Sequence, residues 1–212
     1  MSAPDQASPG GVLDAVPVLP VVVIDDLATA VPVARALVDG GLPAIELTLR
    51  TPVALDAIRA IAAEVPEILL GAGTITTPGQ AADAVAAGAG FLVSPGLTPD
   101  LLQGMLDTGV PFLPGTSTVS EVLTVLEAGL SEMKFFPAEA SGGTAYLKAT
   151  AGPLPQARFC PTGGIRPDTA ADYLALSNVG CVGGTWLTPA DAVFAGDWER
   201  ISTLAAEAAA LR

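Results

Sequence analysis

Short apolar runs alternate eight times with longer segments rich in alanine and leucine, and the pattern returns about every 20 to 25 residues. The apolar runs have the length and composition of buried strands, whereas the longer segments have the spacing of helices that bury one face. Several of the longer segments begin with Thr or Asp near Pro and end at Gly, as helices do. The predicted strands comprise residues 19–24, 44–49, 68–73, 90–94, 110–115, 132–136, 158–162 and 180–184.

Eight strands alternating with helices predict an α/β protein, a (β/α)8 TIM barrel that forms a single domain over residues 12–212. A doubly wound open sheet is the alternative with the same alternation of elements. Half of the 212 residues are hydrophobic, which is enough for one large core. Residues 1–11 have neither a basic start nor an apolar stretch, so we expect a loosely ordered tail and not a secretory signal.

The chain has a formal net charge of −13 and contains no histidine. An acidic surface repels nucleic acid and anionic membranes, so we expect neither as a partner. Without histidine, Ser-His-Asp and Cys-His catalysis and His-dependent zinc sites are excluded, and acid–base chemistry falls to Glu, Asp, Lys, Tyr or water. The two cysteines, Cys160 and Cys181, are expected to be reduced core thiols of a cytoplasmic protein.

Polar residues share one face of the second predicted strand. Because side chains alternate along a strand, Glu46 and Arg50 point away from an apolar face formed by Ile45, Leu47 and Leu49. The apolar face is suited to packing under helices, so Glu46 and Arg50 are expected in the barrel interior or at its upper rim, where catalytic groups lie. A solvated strand end with a chance pair of charges is the alternative.

One of only two lysines in the chain lies in an apolar strand. Lys134 follows Met133 and precedes two phenylalanines, and it shares its strand face with Phe136. If that face lines the barrel, burial and a nearby cation such as Arg50 disfavour the ammonium, and the amine becomes a nucleophile toward a ketone. The alternative is a strand-end lysine whose amine reaches water. The other lysine, Lys148, is predicted on a helix surface.

Two glycine-rich stretches, "PTGGIRP" at 161–167 and "VGGTWL" at 182–187, follow the last two predicted strands. Loops at this position of a barrel often bind phosphate through backbone N–H groups and a helix N-terminus. Such a site needs little cationic charge, which suits a chain as acidic as this one. Thr162 and Thr185 would add hydroxyl donors. Ordinary turns between strand and helix are the alternative.

Two further residues follow predicted strands. Thr74 continues the face of Leu70 and Ala72, and this alternation predicts that it lines the site. Pro95 is predicted from its position alone to shape a turn.

Seven segments together resemble the 2-keto-3-deoxy-6-phosphogluconate (KDPG) aldolase family, whose members often also act as 4-hydroxy-2-oxoglutarate (KHG) aldolases. The segments are "IELTLRT", "GAGT", "SPGLT", "PGTSTVSE", "KFFPAEASGG", "FCPTGGI" and "GGTWL". The resemblance covers about residues 15–210 and rests most strongly on "KFFPAE" and "FCPTGGI".

The resemblance implies a Schiff-base aldolase on a (β/α)8 barrel, usually a homotrimer, that needs no metal and no cofactor. It assigns the Schiff base to Lys134, general acid–base catalysis to Glu46, carboxylate binding to Arg50 and contact with the pyruvyl group to Thr74. It assigns the remaining substrate contacts to Pro95 and Phe136 beside the lysine and to Thr162, Gly163, Gly164, Gly184 and Thr185 around the phosphate.

The implied reaction cleaves a phosphorylated keto acid, KDPG, to pyruvate and glyceraldehyde 3-phosphate, with KHG as a second substrate. Two alternatives stay open. One is the sibling activity on 2-keto-3-deoxy-6-phosphogalactonate, and the other is a non-catalytic barrel, natural or engineered, that binds a phosphate ligand or serves as a scaffold.

Overall fold

The computed structural model describes residues 11–211, and the predicted strands and helices alternate throughout this range. Of the predicted tail, residues 1–11, only Gly11 belongs to the described residues. The strands are β1 (Val18–Val22), β2 (Ala44–Thr48), β3 (Leu69–Gly73), β4 (Phe91–Val93), β5 (Phe112–Leu113), β6 (Gly115–Thr116), β7 (Glu132–Phe135), β8 (Arg158–Pro161) and β9 (Val182–Gly184). The helices are α1 (Val12–Ala15), α2 (Ala30–Asp39), α3 (Ala54–Glu64), α4 (Pro78–Ala86), α5 (Pro99–Asp107), α6 (Val119–Glu127), α7 (Gly143–Ala151), α8 (Pro167–Leu174), α9 (Ala190–Ala195) and α10 (Trp198–Ala209).

Threonine caps fix where several helices begin. The hydroxyls of Thr77, Thr98 and Thr118 each accept a hydrogen bond from the backbone N–H three residues further on. The short helices α1 and α9 were not predicted, because four and six residues are too few for a periodic pattern. Among residues 11–211, every helix is too short or too polar to traverse a bilayer.

The strands pair in parallel and follow the order of the chain. Six form one sheet in the order β5-β4-β3-β2-β1-β9, and three form a second in the order β6-β7-β8. The sequential order lacks the reversal that marks a doubly wound sheet. The predicted α/β class is therefore confirmed, and the structure shows a curled parallel sheet.

The two sheets adjoin each other at both edges. β5 and β6 are separated only by Pro114, which has no N–H to give to a ladder but whose carbonyl accepts a bond of 2.9 Å from the Lys134 N–H. At the other edge, isolated bridge pairs join Phe159 with Val179 and Thr162 with Gly183. One face of each strand therefore points toward a common interior, and the other face packs under the helices.

Three charged side chains lie together at the N-terminal ends of β7 and β8. Arg158 donates to Glu132 at 2.7 Å and to Asp14, on α1, at 2.6 Å. Glu132 is only 3% exposed. Burial raises the pKa of the Glu132 carboxyl above its ordinary value of 4.5, and the adjacent Arg158 opposes this shift. Arg158 thus both compensates a buried carboxylate and holds α1 against the base of the sheet.

Replacement of Arg158 by glutamine is expected to destabilise the protein on the order of 3 kcal/mol at neutral pH, because it leaves a buried carboxylate unpaired. Without the guanidinium, the pKa of Glu132 in the folded state rises further above its value in the unfolded chain. Ionisation then favours unfolding, so the loss should be small near pH 4 and should grow as the pH rises through the folded pKa. Urea unfolding of the variant and of the wild-type protein from pH 4 to pH 8 measures the difference in their free energies of unfolding.

The double variant Arg158→Gln/Glu132→Gln is the matched control, since it removes the buried charge together with its partner. The double variant should recover most of the lost stability, and the remaining loss should no longer depend on pH. A double variant as unstable as Arg158→Gln alone would mean that the contact with Asp14, and not compensation of Glu132, stabilises this end of the sheet.

Candidate active site

A buried lysine and a buried glutamate meet across the interior of the strands. The Lys134 Nζ atom, from β7, lies 3.0 Å from Oε1 and 3.4 Å from Oε2 of Glu46, from β2. The two residues are 4% and 1% exposed, respectively. Both occupy the interior-facing positions that strand alternation predicts. A carboxylate in direct contact with a primary amine can exchange a proton with it and with anything bound to it.

The rest of β7 explains why a lysine is stable here. Met133 and Phe135 point to the helix side, where the Phe135 ring stacks on Tyr146 of α7 with centroids 4.8 Å apart. On the interior side, the Lys134 Nζ atom lies 5.4 Å from the centre of the Phe136 ring. The charged group in direct contact with the amine is the Glu46 carboxylate, an anion that pairs with it. A neighbouring cation, for which Arg50 is the candidate, stays a prediction.

Glycines on the interior faces make room for these side chains. A Cβ atom on Gly73 would overlap the Glu46 carboxylate, and a Cβ atom on Gly115 would overlap the backbone of Pro95. Gly115 pairs in register with Lys134, so Pro95 reaches the lysine end of the site only because residue 115 has no side chain. Sequence reasoning missed both glycines, although "GAGT" and "PGTST" contain them.

The resemblance assigns acid–base catalysis to Glu46, so alanine at position 73 is expected to lower turnover roughly 100-fold, since displacing a catalytic group by about 1 Å has an effect of this size. The added methyl group forces the Glu46 carboxylate away from its present position. Steady-state kinetics measures the change. Gly152→Ala is the matched control, since no heavy atom lies within 4 Å of its Cβ position, and it should leave turnover unchanged. Full activity of Gly73→Ala would mean that Glu46 can move without consequence.

Arg50 and Thr74 lie together at the rim of the sheet, beyond the ends of β2 and β3. The Arg50 Nε–H donates to the Thr74 hydroxyl at 3.2 Å, and the guanidinium is exposed. Strand alternation placed Thr74 on the same face as Leu70 and Ala72. That face does not line the interior, because Gly71 and Gly73 occupy the interior-facing positions of β3. Thr74 reaches Arg50 through a left-handed backbone, with φ of 62°, that ends the alternation.

The two glycine-rich stretches adjoin each other. Thr162 bridges to Gly183, and its side chain fills the space above that glycine. Gly163 and Gly164 follow with φ of 103° and 84°, which favour glycine, and α8 begins three residues later. The structure therefore brings the Gly163–Gly164 loop close to the end of β9, which Gly184 forms and Thr185 follows. Backbone N–H groups and a helix N-terminus at one place are typical of anion sites.

A cavity of about 570 Å³ lies beside Thr185 and extends between the end of β1 and α9. Its lining includes Val21, next to Glu46 in register, and the acidic residues Asp25 and Asp26. A second groove, of about 660 Å³, runs between α2 and α10 and contains none of the predicted site residues. The first cavity therefore borders one residue of the predicted phosphate site, Thr185, and the second borders none of the predicted residues.

The two cysteines of the chain are buried thiols, and no step of the chemistry described above uses them. Cys160 and Cys181 are buried, and neither forms a disulfide within residues 11–211. Cys160 pairs in register with Lys134, and its sulfur lies 3.8 Å from the Thr162 hydroxyl. In the same described part of the chain, no group of three or more His, Cys, Asp or Glu side chains is arranged to hold a metal ion.

Comparison with known proteins identifies relatives along nearly the whole chain. The family profile described as KDPG and KHG aldolase matches residues 11–204. The KHG/KDPG aldolase of Escherichia coli K12 is 55% identical over 203 residues, which cover 96% of this chain and 95% of the relative. The 2-dehydro-3-deoxy-phosphogluconate aldolase of Dickeya dadantii is 56% identical over 199 residues, covering 94% of this chain and 93% of that protein.

A solved structure gives the same result for the fold. The KDPG aldolase of Legionella pneumophila, captured with pyruvate as a covalent carbinolamine intermediate at low pH, superposes with a TM-score of 0.93. It is 46% identical, and the match covers 95% of this chain and 98% of that one. The chain therefore belongs to the KDPG and KHG aldolase family.

Proposed function

We propose that this protein is a Schiff-base aldolase that cleaves KDPG reversibly to pyruvate and glyceraldehyde 3-phosphate, and KHG to pyruvate and glyoxylate. The observation that carries the proposal is the buried contact of 3.0 Å between Lys134 and Glu46. An amine with an adjacent carboxylate supplies both the nucleophile and the proton carrier of such a reaction. The carbinolamine captured in the Legionella pneumophila relative supports covalent chemistry in the family.

The reaction begins when the Lys134 amine attacks the C2 ketone. The new C–N bond gives a carbinolamine, whose C2 hydroxyl takes a proton and leaves as water. A protonated imine remains, and its positive nitrogen is the electron acceptor for the next step. Glu46, at hydrogen-bond distance from Nζ, carries the protons that the amine loses and the leaving water gains.

Cleavage then uses the same carboxylate as a base. Glu46, directly or through a water, takes the proton of the C4 hydroxyl. The C3–C4 electron pair moves into the imine, so that the aldehyde leaves and an enamine stays on Lys134. Glu46 returns the proton to C3, and water hydrolyses the imine to release pyruvate and the free amine. The steps need no external oxidant or reductant, and no cofactor takes part in them.

The remaining site residues are proposed to bind and orient the substrate. Arg50, whose exposed guanidinium is bonded to Thr74 at the rim, binds the carboxylate with its planar fork of N–H donors. Thr74 contacts the pyruvyl group. Pro95 and Phe136 line the pocket beside the lysine. The phosphate is bound by the two adjacent loops, through Thr162, Gly163, Gly164, Gly184 and Thr185.

We further propose that the strands close into a complete (β/α)8 barrel that forms one domain over residues 12–212. Bridge pairs at one edge and the single residue Pro114 at the other support closure. A homotrimer is proposed from the family resemblance, and light scattering of the purified chain tests it. Action in the cytoplasm is supported by the two buried cysteines, neither of which is in a disulfide within residues 11–211.

An assay of pyruvate release with KDPG, its galactonate epimer and KHG tests the function. We expect rapid release from KDPG, slower release from KHG and the slowest from the epimer. A faster rate with the epimer would assign the protein to the sibling activity. No release from any of the three would mean that the barrel is not an aldolase of this kind.

A further inference from the structure

The segment that follows Lys134 is tied to the glycine loop that follows β8. The Ala138 N–H donates to the Thr162 carbonyl at 2.8 Å, and the Glu139 N–H donates to the Gly163 carbonyl at 3.1 Å. These two bonds join the turn after β7 to the loop after β8, beyond the ends of both strands. The position of the glycine loop therefore depends on the path of residues 137–142.

Glu139 fixes this junction with its side chain as well as its backbone. A Cβ atom on Gly164 would lie 2.6 Å from Cγ of Glu139, so the aliphatic part of Glu139 lies directly against that glycine. The carboxylate accepts a hydrogen bond of 2.5 Å from the Tyr173 hydroxyl. Tyr173, on α8, is only 1% exposed and cannot shift without disturbing the core.

The bond between Tyr173 and Glu139 is a strong one in physical terms. A hydrogen bond to an ionised carboxylate is short and about twice as strong as a neutral one. Burial, together with this bond, raises the pKa of Tyr173, so the phenol keeps its proton and remains the donor. Arg166 lies within electrostatic reach of the same carboxylate, although its guanidinium is bonded to Asp168.

A carboxylate beside a proposed phosphate site is unexpected for a residue that only covers the surface, because two anions repel each other. Its position makes sense if the carboxylate is held away from the anion by Tyr173 while its backbone and methylenes shape the loop. A substrate bound covalently at one end and through phosphate at the other requires a fixed spacing between the two subsites. The junction at Glu139 sets that spacing.

We propose that Glu139, held by Tyr173, is a positioning residue that fixes the Gly163–Gly164 loop at the distance from Lys134 that a phosphorylated keto acid requires. This inference rests on the proposed aldolase function. It predicts a defect that is specific to the phosphate end, since neither Glu139 nor Tyr173 contacts the lysine in the described structure.

The variants Tyr173→Phe and Glu139→Ala test the inference. Each should raise KM for KDPG roughly tenfold, the effect of losing one hydrogen bond to a charged group, while kcat changes less than about twofold. Pyruvate has no phosphate, so the rate at which pyruvate and borohydride modify Lys134 should stay at the wild-type value. Glu139→Gln retains an acceptor for the Tyr173 hydroxyl and should recover most of the KM.

Tyr146→Phe is the matched control, because in the described part of the chain the Tyr146 hydroxyl is buried without a hydrogen-bond partner. It should leave both readouts unchanged. An unchanged KM for KDPG in Tyr173→Phe and Glu139→Ala would overturn the positioning role. A rise in KM accompanied by an equally large fall in the rate of pyruvate trapping would overturn it as well. Absence of pyruvate release and of trapping in the wild-type protein would instead count against the proposed function itself.

Discussion

Replacement of Lys134 by glutamine is expected to abolish both turnover and the covalent capture of pyruvate. Only a primary amine forms the imine, and the glutamine amide is not nucleophilic. Glutamine is polar and only one atom shorter than lysine, so the substitution removes the nucleophile and its positive charge with little change in shape. In the wild-type protein, pyruvate and borohydride should add the mass of pyruvic acid less one oxygen atom to the peptide that contains Lys134. The variant should show no such increment.

Lys148→Gln is the matched control, since Lys148 is the other lysine of the chain and is exposed on α7. This variant should capture pyruvate on Lys134 and should cleave the substrate at the same rate as the wild-type protein. The unpaired Glu46 of Lys134→Gln reduces stability by about 3 to 5 kcal/mol, so thermal unfolding must establish that the variant is folded. Capture of pyruvate by folded Lys134→Gln, or its loss in Lys148→Gln, would move the Schiff base to another amine.

The strands and helices were predictable because their signals are local. Apolar runs, Thr caps and terminal glycines each act within a few residues, and they place the elements close to their observed ends. The split of the fifth predicted strand at Pro114 has the same local origin, since proline removes one ladder donor. The α1 and α9 helices are too short for periodicity and form against surfaces that the rest of the chain provides.

The site was predictable only in part, because alternation gives the face of a residue but not its partner. Glu46 and Lys134 are 88 residues apart, and no pattern in either strand encodes the 3.0 Å contact between them. The contact depends on the curvature of the sheet and on the missing side chain of Gly73. Thr74 shows the limit of alternation, because one left-handed residue after the strand redirects its side chain.

Glu46→Gln is expected to lower turnover about 10²- to 10⁴-fold, which is the contribution of a well-placed general acid–base group. The amide oxygen can still accept a hydrogen bond from the Lys134 amine, so the lysine keeps its place. The amide has no proton to exchange at neutral pH, so it cannot deprotonate the C4 hydroxyl or reprotonate the enamine. Trapping with pyruvate and borohydride should remain measurable, because attack by the amine does not require cleavage of the C3–C4 bond.

Glu132→Gln is the matched control for this prediction. Glu132 is also a buried glutamate on the interior side of β7, two residues from Lys134, but it lies at the N-terminal end of the strand and pairs with Arg158. The same substitution there should leave turnover within a few fold of wild type. An equal loss in both variants would indicate a general disturbance of the interior. Normal turnover of Glu46→Gln would make Glu46 a structural partner of Lys134, and the proton transfers would then require another group.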